Sequence, residues 1–131
     1  MNNLIGLSLA LFTFICHAQA NVSLAQQQSN LQQAQAQLQQ QIKKEKQAEQ
    51  QLISILKIAK AIDNTQPSIE FAGKVYSKSS FALQVGQLES HLQQKQNWLK
   101  LSQQELDLLT NRISVIAWRI ESDAANQGEI Q

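Results

Sequence analysis

The sequence predicts an all-α protein: an antiparallel two-helix coiled-coil hairpin with a partly ordered connector, suited to oligomerise into a helical bundle. Three observations predict it. Apolar residues in the second half recur at alternating intervals of four and three over about 40 residues, the signature of a coiled-coil helix. Four glycines, one proline and 5% aromatic residues supply little of the turn and β-branched material that a sheet needs. The proline, Pro67, falls in a single connecting stretch, "DNTQPSIEFAGKVYSKSS", between two long helical patterns.

The N-terminal residues 1–20 read as an export signal. "LIGLSLALFTFIC" is an apolar run of about 13 residues, short for a bilayer span and the right length for a signal core. "HAQA" follows, placing the small residues Ala18 and Ala20 for cleavage after Ala20. The leading "MNN" carries only the α-amino charge. A lipoprotein reading of Cys16 is disfavoured by Ile15, since the residue before a lipidated cysteine is small. Cys16 is the one cysteine, so a chain cleaved after Ala20 has neither a disulfide framework nor a thiolate site. The bacterial periplasm is the expected destination.

Residues 21–64 form the first predicted helix. Half of the stretch from Gln26 to Gln51 is glutamine, which dilutes the pattern. Leu24, Leu31 and Leu38 are nevertheless spaced by seven, and the count continues through Glu45, Leu52 and Ala59. Gln28, Gln35, Ile42, Glu49 and Leu56 are the companion positions. A disordered low-complexity tract is the alternative, set aside because the leucines keep heptad time without an intervening Gly or Pro. Pro67 disfavours helix just before itself, so an end near Asp63–Asn64 is expected.

The connector, 65–79, exceeds the usual helix–helix loop. It carries Ile69 and three candidate tip residues, Phe71, Val75 and Tyr76, around Ala72-Gly73. A small ordered tip containing extended pieces is expected, either a contact site or a cover over the hairpin end. The second helix spans 80–123, capped by Ser79 or Ser80. Its seam holds Val85, Leu92, Leu99, Leu106, Ile113 and Ile120, alternating with Phe81, Leu88, Lys95, Ser102, Leu109 and Ile116. The tail 124–131, with "AANQG" and Gly128, is expected to fray.

Lys95 is a cation in a leucine seam. Setting Leu52 against Leu92 in an antiparallel pair puts Leu56 on Leu88, Ala59 on Val85 and Leu38 on Leu106. The layer of Lys95 then receives Glu49. Such a register pair selects alignment more than it stabilises, because desolvation offsets much of the attraction. The competing expectation is a lysine that snorkels outward. Gln35 would face Leu109 and Gln28 would face Ile116, a half-polar seam that points to partners.

A second apolar stripe, Trp98, Leu101, Leu108, Val115 and Trp118, lies roughly opposite that seam and is the predicted partner-binding face. "LISILKIAKAI" in the first helix is also apolar nearly all round, with a strip of Ser54, Lys57 and Lys60. Expected partners are a copy of the chain (a homo-oligomeric bundle), another envelope protein anchored by the tryptophans, or, least favoured, a membrane surface facing Lys57 and Lys60. The connector folding over the stripe is a further arrangement. A net charge of +1 lacks the basic footprint of a nucleic-acid binder.

No reaction chemistry is legible. His91 is the one histidine after residue 20, and Glu89-Ser90-His91 lacks the Glu-x-x-His spacing of metal-binding bundles. Glu45 and Glu49 share a face with leucines, so a seam explains them better than acid–base work. Neither a glycine-rich phosphate loop nor zinc spacing occurs, so no catalytic residue, cofactor or metal is expected. The architecture is similar to periplasmic chaperones and to accessory subunits of secretion, conjugation and pilus machines. Against stress chaperones carrying Leu-Thr-x-x-Gln, "LTNRI" from Leu109 has Ile113 in place of the Gln. The expected function is therefore a non-enzymatic structural or adaptor subunit of an envelope assembly. A holdase chaperone and a membrane-surface protein are the alternatives.

Overall fold

A computed structural model describes residues 23–130. The expected signal peptide, its cleavage after Ala20, and Cys16 lie outside the described residues. The chain is mostly helical: α1 (Leu24–Lys60) and α2 (Lys78–Ile130) are joined by a connector that contains β1 (Ser68–Phe71) and β2 (Lys74–Ser77). The small sheet departs from a purely all-α reading. The described residues divide into two compact units, one of residues 43–99 and one of residues 23–42 together with 100–130.

Helix α1 begins at a serine. Ser23 Oγ accepts the backbone N–H of Gln26 at 3.2 Å, satisfying one of the donors that a helix start leaves free. The helix stops at Lys60, short of Asp63–Asn64. The final turn tightens, Ala61 N–H reaching the carbonyls of Lys57 and Ile58 and Ile62 N–H that of Ala59. Asp63 Oδ1 then accepts from Thr65, from the hydroxyl at 2.7 Å and the amide at 3.0 Å. Those two bonds, the hydroxyl's first, hold the Asp63 carboxyl below its ordinary range, and they turn the chain toward Pro67.

The strands pair antiparallel with Phe71 opposite Lys74, leaving Ala72-Gly73 as a two-residue turn. Both turn residues have positive φ, 53° and 77°, as the right-handed twist of a tight hairpin demands. Gly73 accepts this freely, whereas Ala72 is a side-chain-bearing residue in the left-handed region. Ile69 and Tyr76 are directly opposed on the inner face, and Glu70 and Val75 on the outer.

The inner face closes the 43–99 unit. Ala59, Ile69 and Phe81 are buried together, with Ile62, Phe71, Tyr76 and Val85 packed against them. Phe81 meets Phe71 edge-on at 5.7 Å between ring centroids and Tyr76 at 6.4 Å. Within this unit α1 and α2 run antiparallel, because Lys60 pairs with Glu89 at 3.1 Å while the earlier Glu45 pairs with the later Lys95. Leu52 and Leu56 line its buried seam with Trp98 and Leu99.

The cap of α2 is Ser77 rather than Ser79 or Ser80. Ser77 Oγ accepts the backbone N–H of Ser80 at 3.2 Å, so the helix starts as soon as β2 ends and no slack loop intervenes. At the other end α2 continues to Ile130 instead of fraying after residue 123. Ala, Asn, Gln and Glu there all tolerate helix, and Gly128 is not in the left-handed conformation that would end one. In the second unit Leu31, Leu38 and Ile42 of α1 and Ser102, Leu109 and Ile116 of α2 are buried. Gln35 Nε2 donates to Thr110 Oγ1 at 3.0 Å, giving that glutamine a polar partner beside Leu109.

Candidate functional site

Lys95 forms its ion pair with Glu45, at 2.5 Å, rather than with Glu49. Both partners are largely withdrawn from solvent, 16% and 17% exposed. Glu45 and Glu49 stand about one helical turn apart on the same face, a rise of about 6 Å that a lysine side chain can span either way. Heptad counting selects the face and cannot choose between consecutive carboxylates on it. Glu45 stands between Leu38 and Leu52 at seven-residue steps, and Glu49 stands likewise between Ile42 and Leu56, so the spacing favours neither carboxylate.

Trp98 does not belong to the outer stripe. It is 6% exposed and belongs to the 43–99 unit. Gln84, His91 and Trp98 fall at seven-residue intervals, and all three are at least partly buried. The inner face of α2 is therefore three positions per heptad wide, as in helices of globular bundles, rather than the two of a narrow seam. The seven-residue step from His91 to Trp98 is the sequence signal that was missed. His91 Nε2 and Trp98 Nε1 are both buried without a hydrogen-bonding partner among the described residues, which makes this flank the least satisfied part of the unit.

The rest of the stripe faces outward: Leu101, Leu108, Val115 and Trp118 are each more than half exposed. All four lie in the unit that includes residues from 100 onward. At the tip the three candidate residues separate. Phe71 and Tyr76 turn in to Phe81, because alternate residues of a strand point to opposite faces, and Val75 turns out, 72% exposed. Ile58 and Leu83 are likewise well exposed on the 43–99 unit.

Among the described residues no three His, Cys, Asp or Glu side chains stand together as a metal-binding group. A depression beside the Phe81 core, lined by Ala59, Ile62, Phe81 and Val85 with Lys60 and Lys78, presents two cations and no carboxylate. No described helix is long and apolar enough to cross a membrane. No protein-family model matches the chain, and no match was found among curated proteins or solved structures.

Proposed function

We propose that the protein is an exported, non-enzymatic helical-hairpin subunit, a structural adaptor of a bacterial envelope assembly of the secretion, conjugation or pilus type. The observation that carries this reading is the set of large apolar side chains on the outside of both units. Leu101, Leu108, Val115 and Trp118 lie on one, and Ile58, Val75 and Leu83 on the other. Single exposed apolar residues are ordinary, but a row at helical spacing favours a covering partner, each buried methylene being worth about 0.8 kcal/mol. A helical row on one unit and separate exposed apolar residues on the other suit a subunit that joins neighbours. Val75 stands on a paired strand next to the tight Ala72-Gly73 turn, where a docking side chain loses less backbone entropy on binding than on an unpaired loop.

The test is affinity capture of the tagged chain from the envelope of its own cell after mild crosslinking. One partner in fixed stoichiometry is expected. Ile58→Lys combined with Val75→Lys should abolish its capture while leaving the thermal unfolding curve in place. Suppression of aggregation of unrelated unfolded proteins, followed by their release and without a stoichiometric partner, would replace the adaptor by a holdase.

A further inference from the structure

Beyond Lys100 the outward residues of α2 form a second seam. Leu101, Gln104, Leu108, Asn111, Val115 and Trp118 are all exposed and follow one another at intervals of three, four, three, four and three. This is coiled-coil spacing, on the side of the helix nearly opposite the buried Ser102, Leu109 and Ile116. A helix carries two seams when it is to be packed from two sides. We propose that residues 101–118 pair in parallel and in register with the same segment of a second copy of this chain. The proposal rests on the adaptor reading and names the first neighbour in the assembly.

Two features select a second copy over a foreign helix. The first is the pair of amides in the seam. In a parallel, in-register dimer each seam residue meets its own counterpart. Asn111 and Gln104 then each face an identical amide, and because an amide offers both donors and an acceptor, like satisfies like. A core asparagine layer is a known device for fixing register and pairing. Against an apolar foreign seam both amides would be buried unsatisfied. An antiparallel copy would set Asn111 on Leu108 and Gln104 on Val115, with the same penalty.

The second feature is the charge along the flanks. In a parallel pair, flanking residues five apart in number approach across the interface. Lys100 then faces Glu105 of the partner subunit, and Asp107 faces Arg112 of the partner subunit; two-fold symmetry repeats both. Each pair is of opposite sign. Glu105 and Arg112 already interact within their own chain, so these contacts align the helices more than they strengthen the dimer. Antiparallel pairing would also bring Glu105 to Arg112. The seam amides therefore decide the orientation, and the flanking charges permit it.

The experiment uses the full chain, expressed with its own N-terminus and carrying Cys16→Ser. Sedimentation equilibrium at about 100 µM, above the dissociation constants of modest interfaces, is expected to give a dimer. Leu108→Glu should weaken association about a hundredfold while the helical circular dichroism is kept. Under mild oxidation Gln104→Cys and Leu108→Cys should each form same-residue disulfides. A mixture of Gln104→Cys and Val115→Cys chains should give no mixed product. A monomer at that concentration, a dimer indifferent to Leu108→Glu, or a mixed 104–115 crosslink would each overturn the proposal. Should Leu108→Glu fail to fold, the crosslinks decide. A monomer that still captures its stoichiometric envelope partner refutes the dimer and leaves the adaptor reading intact; a dimer that captures nothing does the reverse.

Discussion

Lys95 shows what a charged residue does in an apolar seam. Its ion pair with Glu45 is mostly shielded from water, so removing one partner strands the other. Glu45→Ala should lower unfolding stability by about 1–3 kcal/mol, against less than about 0.5 kcal/mol for Glu49→Ala, measured by urea denaturation. Exchanging the charges, Glu45→Lys with Lys95→Glu, should restore most of the loss. Equal effects of the two alanine variants would show that Glu45 has no special hold on the lysine. Ala72 is the other residue with a local cost. At φ 53° its Cβ crowds the neighbouring carbonyl, and Asn tolerates that conformation better. Ala72→Asn, which creates the Asn-Gly pair favoured in such turns, should raise stability by about 1 kcal/mol.

At the scale of elements, the two helices are built by different means. Helix α1 gains its start from Ser23 and its end from the Asp63–Thr65 turn. Helix α2 is launched from the sheet, because Ser77 is at once the last residue of β2 and the cap of the helix. Ser77→Ala should therefore cost about 1 kcal/mol and loosen the junction between tip and helix, while Ser79→Ala costs little. Amide hydrogen exchange in residues 78–81 is the measurement. Gly86 lies exposed in mid-helix with open space where a Cβ would go. Gly86→Ala should raise the denaturation midpoint, adding about 1 kcal/mol of stability. The strands themselves are too few to stand alone, and Phe81, meeting Phe71 and Tyr76, holds them to the helical end of their unit.

At the scale of the molecule, the large apolar side chains left outside bear on assembly. Val75 and Ile58 can be changed to lysine with little expected effect on stability, since both are exposed; loss of partner capture in those variants is the functional readout. The outward seam of α2 accounts for the neighbour that is a second copy of the chain. These exposed positions were partly legible in the residues. The spacing of Leu101, Leu108, Val115 and Trp118 is visible without coordinates, but whether a given member stays outside depends on how wide the inner face is. Trp98 crosses to the inside for that reason, and Phe71 and Tyr76 do so because strand alternation turns them toward Phe81.

The positions of two long helices, the lone stretch that interrupts them and the heptad phase of their seams follow from sequence alone, because helix formation and periodicity depend on residues within a few turns of one another. Tertiary structure decided which carboxylate Lys95 takes, that Trp98 is buried, and that the connector folds into a hairpin whose aromatic residues cap the helices. Those choices turn on distances between segments far apart in the chain. A lysine can reach either of two carboxylates one turn apart, and a four-residue strand acquires an inside and an outside only when a helix end is there to be covered.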